Sequence, residues 1–419
     1  MDLTVEKSVN LEGTVKAPPS KSYTHRAVII AALAEGISEI RDPLIAEDTL
    51  SSLNACRAFG VRVDEGDAWT VHGSGGELET PDDVIYLGNS GTTLRLMTSV
   101  AGLAENYTVL TGDESLRTRP MQPLLDALRP LGVEALSSRM NGLPPIIVRG
   151  GLRGGSTSIR GDVSSQFISS ILIAAPLTEG VEVMVEGDFI SRPYVDMTVD
   201  VMERFSVPVD YSEGIFRVEP AVYRGLDYTV EGDYSSASYL AGAVAAAGGD
   251  VLIENLFRDS RQGDRIILDI ISDMGAEVRR GEDHVRIAST GELSGVSVNL
   301  HDAPDLLPTV AVLGALATGR TEIGGVEHAR YKETDRISTC AAELRRLGVD
   351  VTELPDGMII EGGASGGTVW SHGDHRLAMA FTLIGLREGI TIRDAEVFSV
   401  SFPDFPERMM QIGCRMNLS

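Results

Sequence analysis

Gly161-Asp-Val-Ser-Ser-Gln166 and Gly232-Asp-Tyr-Ser-Ser-Ala237 are one phrase written twice, each leading into an apolar run. A polar cluster ahead of such a run predicts a helix start, because Ser and Asp accept from N–H groups that the first turn leaves unpaired. Four further clusters keep the same spacing of roughly 70 residues. They are Pro19-Ser-Lys-Ser-Tyr-Thr-His-Arg26, Leu87-Gly-Asn-Ser-Gly-Thr-Thr-Leu-Arg95, Ala303-Pro-Asp-Leu-Leu-Pro308 and His372-Gly-Asp-His-Arg376. A second series runs in step with the first: Phe59-Gly-Val, Leu131-Gly-Val, Phe205-Ser-Val, Met274-Gly-Ala, Leu347-Gly-Val and Ile412-Gly-Cys. Its gaps are 72, 74, 69, 73 and 65 residues. Gly there suits the end of a helix, where the chain turns left-handed.

One repeat therefore reads helix, strand, helix, strand, strand. In the fourth, a helix is expected from Ser235 to Ala247 and a strand from Val251 to Glu254. A second helix follows from about Asp264 to Met274, then strands at Ala276-Glu-Val-Arg and His284-Val-Arg-Ile. The sixth repeat runs out at Ser419, while residues 2–16 alternate like strands with no repeat of their own. The N-terminal segment is expected to complete the last repeat. Two groups of three repeats fit domain sizes better than one body of 419 residues. The expected division is a discontinuous terminal domain, 1–18 plus 232–419, with an inserted domain, 19–231. Two crossings at nearly one place would make a hinge with a cleft, where ligand sites are favoured.

Composition narrows the partners. The 419 residues are 43% hydrophobic and 23% charged, enough for real cores, with a formal net charge of −25. Such a chain repels nucleic acid and anionic membrane surface, so neither is expected as a partner. Cys56, Cys340 and Cys414 lie far apart with no CxxC, and read as core thiols rather than a zinc site or a disulfide framework. No signal peptide is visible and no apolar run reaches membrane-spanning length, so a soluble, cytoplasmic protein is expected.

Against that charge, the cations inside the helix starts stand out. Only four residues are lysine: Lys7, Lys16, Lys21 and Lys332. Lys21, Arg26, Arg95 and Arg376 sit in the repeated clusters, where helix N-termini already favour anions. Thr111-Gly-Asp-Glu-Ser-Leu-Arg-Thr-Arg-Pro120 and Tyr331-Lys-Glu-Thr-Asp-Arg336 concentrate further charge. Taken singly, each cluster reads as an ordinary cap or a solvated turn; together they read as an anion site.

Nine segments in order extend this reading. They are Pro18-Pro-Ser-Lys-Ser22 with Arg26, Leu87-Gly-Asn-Ser-Gly-Thr92, Arg119-Pro120, Val163-Ser-Ser-Gln166, Ser191-Arg-Pro-Tyr194, Pro304-Asp305, Lys332-Glu-Thr-Asp-Arg336, Asp374-His-Arg376 and Phe402-Pro-Asp404. Together the chain resembles the 5-enolpyruvylshikimate-3-phosphate synthase family over essentially its whole length. The resemblance implies a two-domain inside-out α/β barrel, each domain three βαβαββ units, with the active site in the interdomain cleft. It implies enolpyruvyl transfer from phosphoenolpyruvate to the 5-hydroxyl of shikimate 3-phosphate, with phosphate released through a tetrahedral ketal. Neither metal nor cofactor is implied, and a monomer is expected.

Position by position, the resemblance makes Asp305 the base for the 5-hydroxyl, Glu333 a proton shuttle at the methylene and Lys21 a lysine touching both substrates. Ser22, Arg26, Ser164, Ser165, Gln166, Ser191, Tyr194, His328 and Lys332 fall on the shikimate 3-phosphate side, with Lys21 and Asp305. Asn89, Gly91, Arg119, Arg336 and Arg376 fall on the phosphoenolpyruvate side, with Lys21 and Gln166. Asp48 matches an acidic position nearby. The shikimate side is assigned mainly to the inserted domain, the phosphoenolpyruvate side and the acid and base to the terminal one. Two positions depart from the pattern: Val400 stands where many members carry Lys, and His328 where many carry Asn. The alternative is the sister transferase acting on UDP-N-acetylglucosamine. It typically has Lys-Asn where this chain has Lys21-Ser22, and a loop cysteine where residues 111–120 have none.

Overall fold

The computed structural model of the chain describes all 419 residues, which divide into two compact units. One comprises Met1–Pro18 with Glu231–Ser419; the other is Pro19–Val230. Twelve α-helices lie between the strands: α1 (Lys21–Leu33), α2 (Glu47–Ala58), α3 (Gly91–Ala101), α4 (Gln122–Leu128), α5 (Ser165–Ala174), α6 (Pro193–Arg204), α7 (Tyr234–Ala247), α8 (Ile267–Asp273), α9 (Leu307–Leu316), α10 (Arg336–Arg346), α11 (His375–Glu388) and α12 (Phe405–Gln411).

The repeated polar clusters open the odd-numbered helices, and these are apolar almost all round. Every residue of α7 is buried, as are eleven of the thirteen in α1 and twelve of the fourteen in α11. A helix apolar on all sides belongs inside a core. In the terminal unit α7, α9 and α11 pack on one another; in the inserted unit α3 packs on α5. That second contact is fastened by Ser99 and Ser170, whose hydroxyl oxygens are 2.6 Å apart.

Around these helices stand six four-stranded sheets, three per unit. Their strands alternate in burial, as in Ile37–Arg41, where Ser38 and Ile40 face inward and Ile37 and Arg41 outward. Each unit is thus an inside-out α/β barrel, helices within and sheets without. In each sheet a parallel pair is extended by two antiparallel strands. Gly155–Arg160 runs parallel to Val181–Glu186 across the α5 crossover, and Ile215–Val218 and Asp210–Ser212 complete that sheet.

The N-terminal segment is used twice, where one use was expected. Leu3–Glu6 lies antiparallel between Ile390–Arg393 and Arg415–Leu418, so the last repeat does have a strand after Cys414 and the chain's first strand is its inner neighbour. Leu11–Lys16 instead runs parallel to Gly249–Glu254 in the fourth repeat. The sequence reading missed this because a parallel pairing across more than two hundred residues leaves no local pattern. The second helix of that repeat also starts differently, with a 3₁₀ turn at Gly263–Ile266 leading into α8.

Candidate active site

In the inserted unit, the predicted residues gather at the starts of α1, α3 and α5. Ser20 caps α1 by accepting from the Tyr23 N–H, which leaves Lys21 at the first helical position. The Lys21 ammonium donates to Asp48 Oδ2 at 2.8 Å, joining α1 to α2. Ser90 caps α3, next to Asn89 and Gly91. Arg119 lies over that turn: a Cβ on Gly91 would meet Arg119 Nη1 at 2.5 Å, so the missing side chain is what admits the guanidinium. Arg119 Nε is buried and makes no hydrogen bond within the protein.

Ser164 is the N-cap of α5, yet its hydroxyl makes no capping bond. Ser165 and Gln166 follow at the first two helical positions. Gln166 is held at both ends of its amide: Oε1 accepts from Arg95 Nη1 at 2.6 Å and Nε2 donates to Thr92 Oγ1 at 2.9 Å. Arg95 also lies 5.5 Å over the Phe167 ring. Arg95 was seen as a cation in a helix start and left out of the site; its role is to aim Gln166. Ser191 sits in the left-handed region at φ 53° and is buried, just ahead of Tyr194 at the start of α6.

Arg26 is fully buried, and burial lowers its pKa to about 10. Its Nε donates to Thr198 Oγ1 at 2.7 Å, Nη1 to the Ser22 carbonyl at 2.8 Å and Nη2 to the Tyr194 carbonyl at 2.8 Å. Three donors therefore hold α1 against α6 and fix the backbone at two other predicted site residues. The neighbouring His25 joins a hydroxyl chain: Nδ1 is 2.8 Å from Ser52 Oγ, which is 2.7 Å from Thr93 Oγ1, itself 2.7 Å from the capping Ser90. Burial pushes the His25 pKa down to about 3, so the ring is neutral.

The terminal unit holds a charged network. Arg336 opens α10 and is 1% exposed. Its Nε donates to Asp374 Oδ2 at 2.7 Å, its Nη1 to Asp305 Oδ1 at 2.8 Å, and its Nη2 to Glu333 in a short contact. Burial alone would lower the pKa of this arginine; Asp374, Glu333 and Asp305 outweigh it and leave the pKa raised. Asp305 also accepts from Arg376 Nη2 at 2.7 Å, and Lys332 Nζ stands 3.6 Å from it. Asp374 completes the ring while capping α11, accepting from the Arg376 backbone N–H at 2.9 Å. Buried charges persist only when paired, and this set is paired throughout.

Asp305, Lys332, Glu333, Arg336 and Arg376, spread over about 70 residues of chain, thus form one cluster. His328 lies in the 3₁₀ turn before Lys332 with its ring 6.5 Å from that of His301. Val400 ends another 3₁₀ turn and is partly buried; beside it the Ser401 hydroxyl is buried without a hydrogen bond. Two acids were missed. Asp374 reads in sequence as a cap, and it is one, but its second oxygen carries Arg336. Asp264 is buried and accepts from the Ser235 hydroxyl in a short contact. Burial and the charge of Asp305 push its pKa up to about 7, against the pull of Arg376.

The three cysteines are buried and unpaired, and burial raises each thiol's pKa. No helix is long and apolar enough to cross a membrane.

Known proteins share this sequence and fold. A family model described as EPSP synthase (3-phosphoshikimate 1-carboxyvinyltransferase) matches residues 5–409. A protein named 3-phosphoshikimate 1-carboxyvinyltransferase from Methanothermobacter thermautotrophicus is 99% identical over 419 residues, with 100% of both chains covered. A protein of the same name from Methanobrevibacter smithii is 53% identical, again over 100% of both. The solved structure of EPSP synthase from Acinetobacter baumannii matches with a TM-score of 0.84 at 29% identity, covering 100% of both chains.

Proposed function

The chain belongs to the EPSP synthase family, and from that premise we propose how its residues carry out a 3-phosphoshikimate 1-carboxyvinyl transfer. It is a transferase that moves the enolpyruvyl group of phosphoenolpyruvate onto the 5-hydroxyl of shikimate 3-phosphate. In the addition, Asp305 takes the proton of the 5-hydroxyl as its oxygen bonds to C2 of phosphoenolpyruvate. The C2–C3 π pair takes a proton delivered by Glu333, giving the tetrahedral ketal. In the elimination, a methyl proton returns to Glu333, the C2–C3 double bond re-forms, the C2–O bond to phosphate breaks and the proton held by Asp305 leaves with the phosphate. Positioned acids and bases of this kind contribute about 10²–10⁴-fold each.

Lys21 serves both substrates and is a second route for the proton. Ser164, Ser165 and Ser191 cradle the 3-phosphate, with Ser22, Arg26, Tyr194, His328 and Lys332 around the rest of shikimate 3-phosphate. Gln166 lies between the substrates. Asn89, Gly91, Arg119, Arg336 and Arg376 hold phosphoenolpyruvate through helix N–H groups and guanidinium forks. The single observation that supports this division most is the Arg336 cluster, in which the proposed base and acid are both fastened to one buried guanidinium. An entering carboxylate or phosphate competes with Asp305 and Glu333 for Arg336 and Arg376. We infer that substrate binding is what releases both carboxylates for proton transfer. Every proposed role falls on one chain, which is in keeping with a monomer, and we read the protein as cytoplasmic, acting on small-molecule substrates without a nucleic-acid or membrane partner.

The test is phosphate release from phosphoenolpyruvate, with shikimate 3-phosphate or UDP-N-acetylglucosamine as acceptor, in the wild type and in Asp305→Ala. Release is expected with the shikimate ester only. The variant should lose about 10²–10⁴-fold in turnover while still binding both substrates. Release with the sugar nucleotide alone would overturn the acceptor, and undiminished turnover in the variant would remove Asp305 as base.

A further inference from the structure

We propose that the terminal unit carries a second anion site, distinct from the Arg336 cluster, which takes a small carboxylate or phosphate anion. The site is a depression of about 230 Å³ between the start of α7, the loop after Gly249–Glu254, α8 and the turn after Glu277–Arg280. Arg258, Arg265 and Arg280 line it, above the buried side chains of Tyr234, Leu256 and Leu268.

Charge balance singles it out. Arg280 is paired with Asp269. Neither Arg258 nor Arg265 has an acid within ion-pair distance, while the charges of Glu231 and Asp259, like those of Arg265 and Arg280, are felt at the Tyr234 hydroxyl. Arg265 Nη1 donates instead to the carbonyls of Arg258 and Ser260, at 3.2 and 3.0 Å, contacts that fix the guanidinium without neutralising it. In a chain at −25, where most exposed arginines have an acid beside them, two such groups converging on one hollow is unusual. The neighbouring depression makes the contrast. It holds two arginines, but Arg286 pairs with Asp250 at 2.7 Å and Arg279 with Glu277 at 2.6 Å, so no cation is left over.

Shape and chemistry then define the occupant. About 230 Å³ is room for a small anion, and because the apolar residues beneath are almost wholly buried, the arginines are what it would meet. The Tyr234 hydroxyl is itself held by the Phe257 carbonyl at 2.9 Å. A guanidinium fork matches carboxylate and phosphate alike, so the head group is left to experiment.

The test is calorimetric titration of the full chain, already saturated with shikimate 3-phosphate, with phenyl phosphate, benzoate and inorganic phosphate. The wild type and the double variant Arg258→Ser, Arg265→Ser are compared. At least one of these anions should bind with one-to-one stoichiometry. The double variant should lose that binding by at least about tenfold while keeping the wild-type turnover, which shows that it is folded. Which anion binds tells a carboxylate site from a phosphate site. Equal binding by wild type and variant, or no binding at millimolar concentration, would each overturn the proposal.

Discussion

Gly91 matters for the side chain it lacks. Because a Cβ would lie 2.5 Å from Arg119 Nη1, Gly91→Ala forces the flexible end of Arg119 aside while leaving the backbone of α3 intact. The Michaelis constant for phosphoenolpyruvate should rise about 10-fold or more, the worth of a charge-assisted hydrogen bond. That for shikimate 3-phosphate should change little. Equal changes in both constants would place Arg119 elsewhere. Asp264 supports a prediction of another kind. Its pKa is about 7 in the folded chain and near 3.8 when unfolded, so the folded state holds the proton longer. The groups facing it are Ser235, Asp305, Arg376 and Asp233. Its contribution to stability is full below pH 4, is lost as pH rises towards 7, and is constant above. Asp264→Asn should therefore gain on the wild type in melting temperature across that window, and parallel curves would rule out the shift. Residues at this scale were legible where their type was odd for the place. Lys21, Arg336 and Arg376 are cations in an acidic chain. Asp374 and Asp264 were not, because an acid near a helix start already has an ordinary explanation and its second partner comes from a distant segment.

At the scale of elements, the ends of the second helices tell more than their middles. Gly60, Gly132, Gly275, Gly348 and Gly413 all lie at positive φ, between 85° and 116°, just past α2, α4, α8, α10 and α12. Ser206 takes the same place after α6, at φ 73°. A residue with a Cβ is strained there by about 1–2 kcal/mol, so Ser206→Gly should stabilise the inserted unit by roughly 1 kcal/mol. Chemical denaturation reads this, and a loss of stability would mean that the hydroxyl has a partner worth more than the strain. The periodic glycines made the repeat legible because the left-handed turn is a local demand. The Leu11–Lys16 strand was harder, since its partner is far along the chain. One local trace of it exists: a Cβ on Gly249 would come within 2.0 Å of the Leu11 carbonyl oxygen. A glycine at a strand start marks close backbone approach, but does not say to what.

For the molecule as a whole, the acidic surplus and the cationic sites are reconciled by pairing. Most exposed arginines are spent beside acids, such as Arg41 with Asp227 and Arg286 with Asp250. The cations at the helix starts are paired as well, Lys21 with Asp48 and Arg376 with Asp305, so a ligand reaches them by displacing an acid, whereas by our proposal Arg258 and Arg265 are reached directly. The six-fold pattern was legible because every repeat must bury its own helix. At the chain's beginning, the strand that completes the last repeat was legible, but the pairing of Leu11–Lys16 with Gly249–Glu254 was not, because its partner lies far along the chain.

The place of Leu3–Glu6, between the last two strands to be made, has a consequence for biogenesis. At about 5–20 residues per second, the first strand leaves the ribosome on the order of tens of seconds before Arg415–Leu418 exists. Throughout that time both of its hydrogen-bonding edges are open, and open edges invite wrong partners. The inserted unit has every strand it needs once Val230 has emerged. Order of synthesis therefore favours a folded middle carried by unfinished ends, with the terminal unit closing only once Arg415–Leu418 has been made.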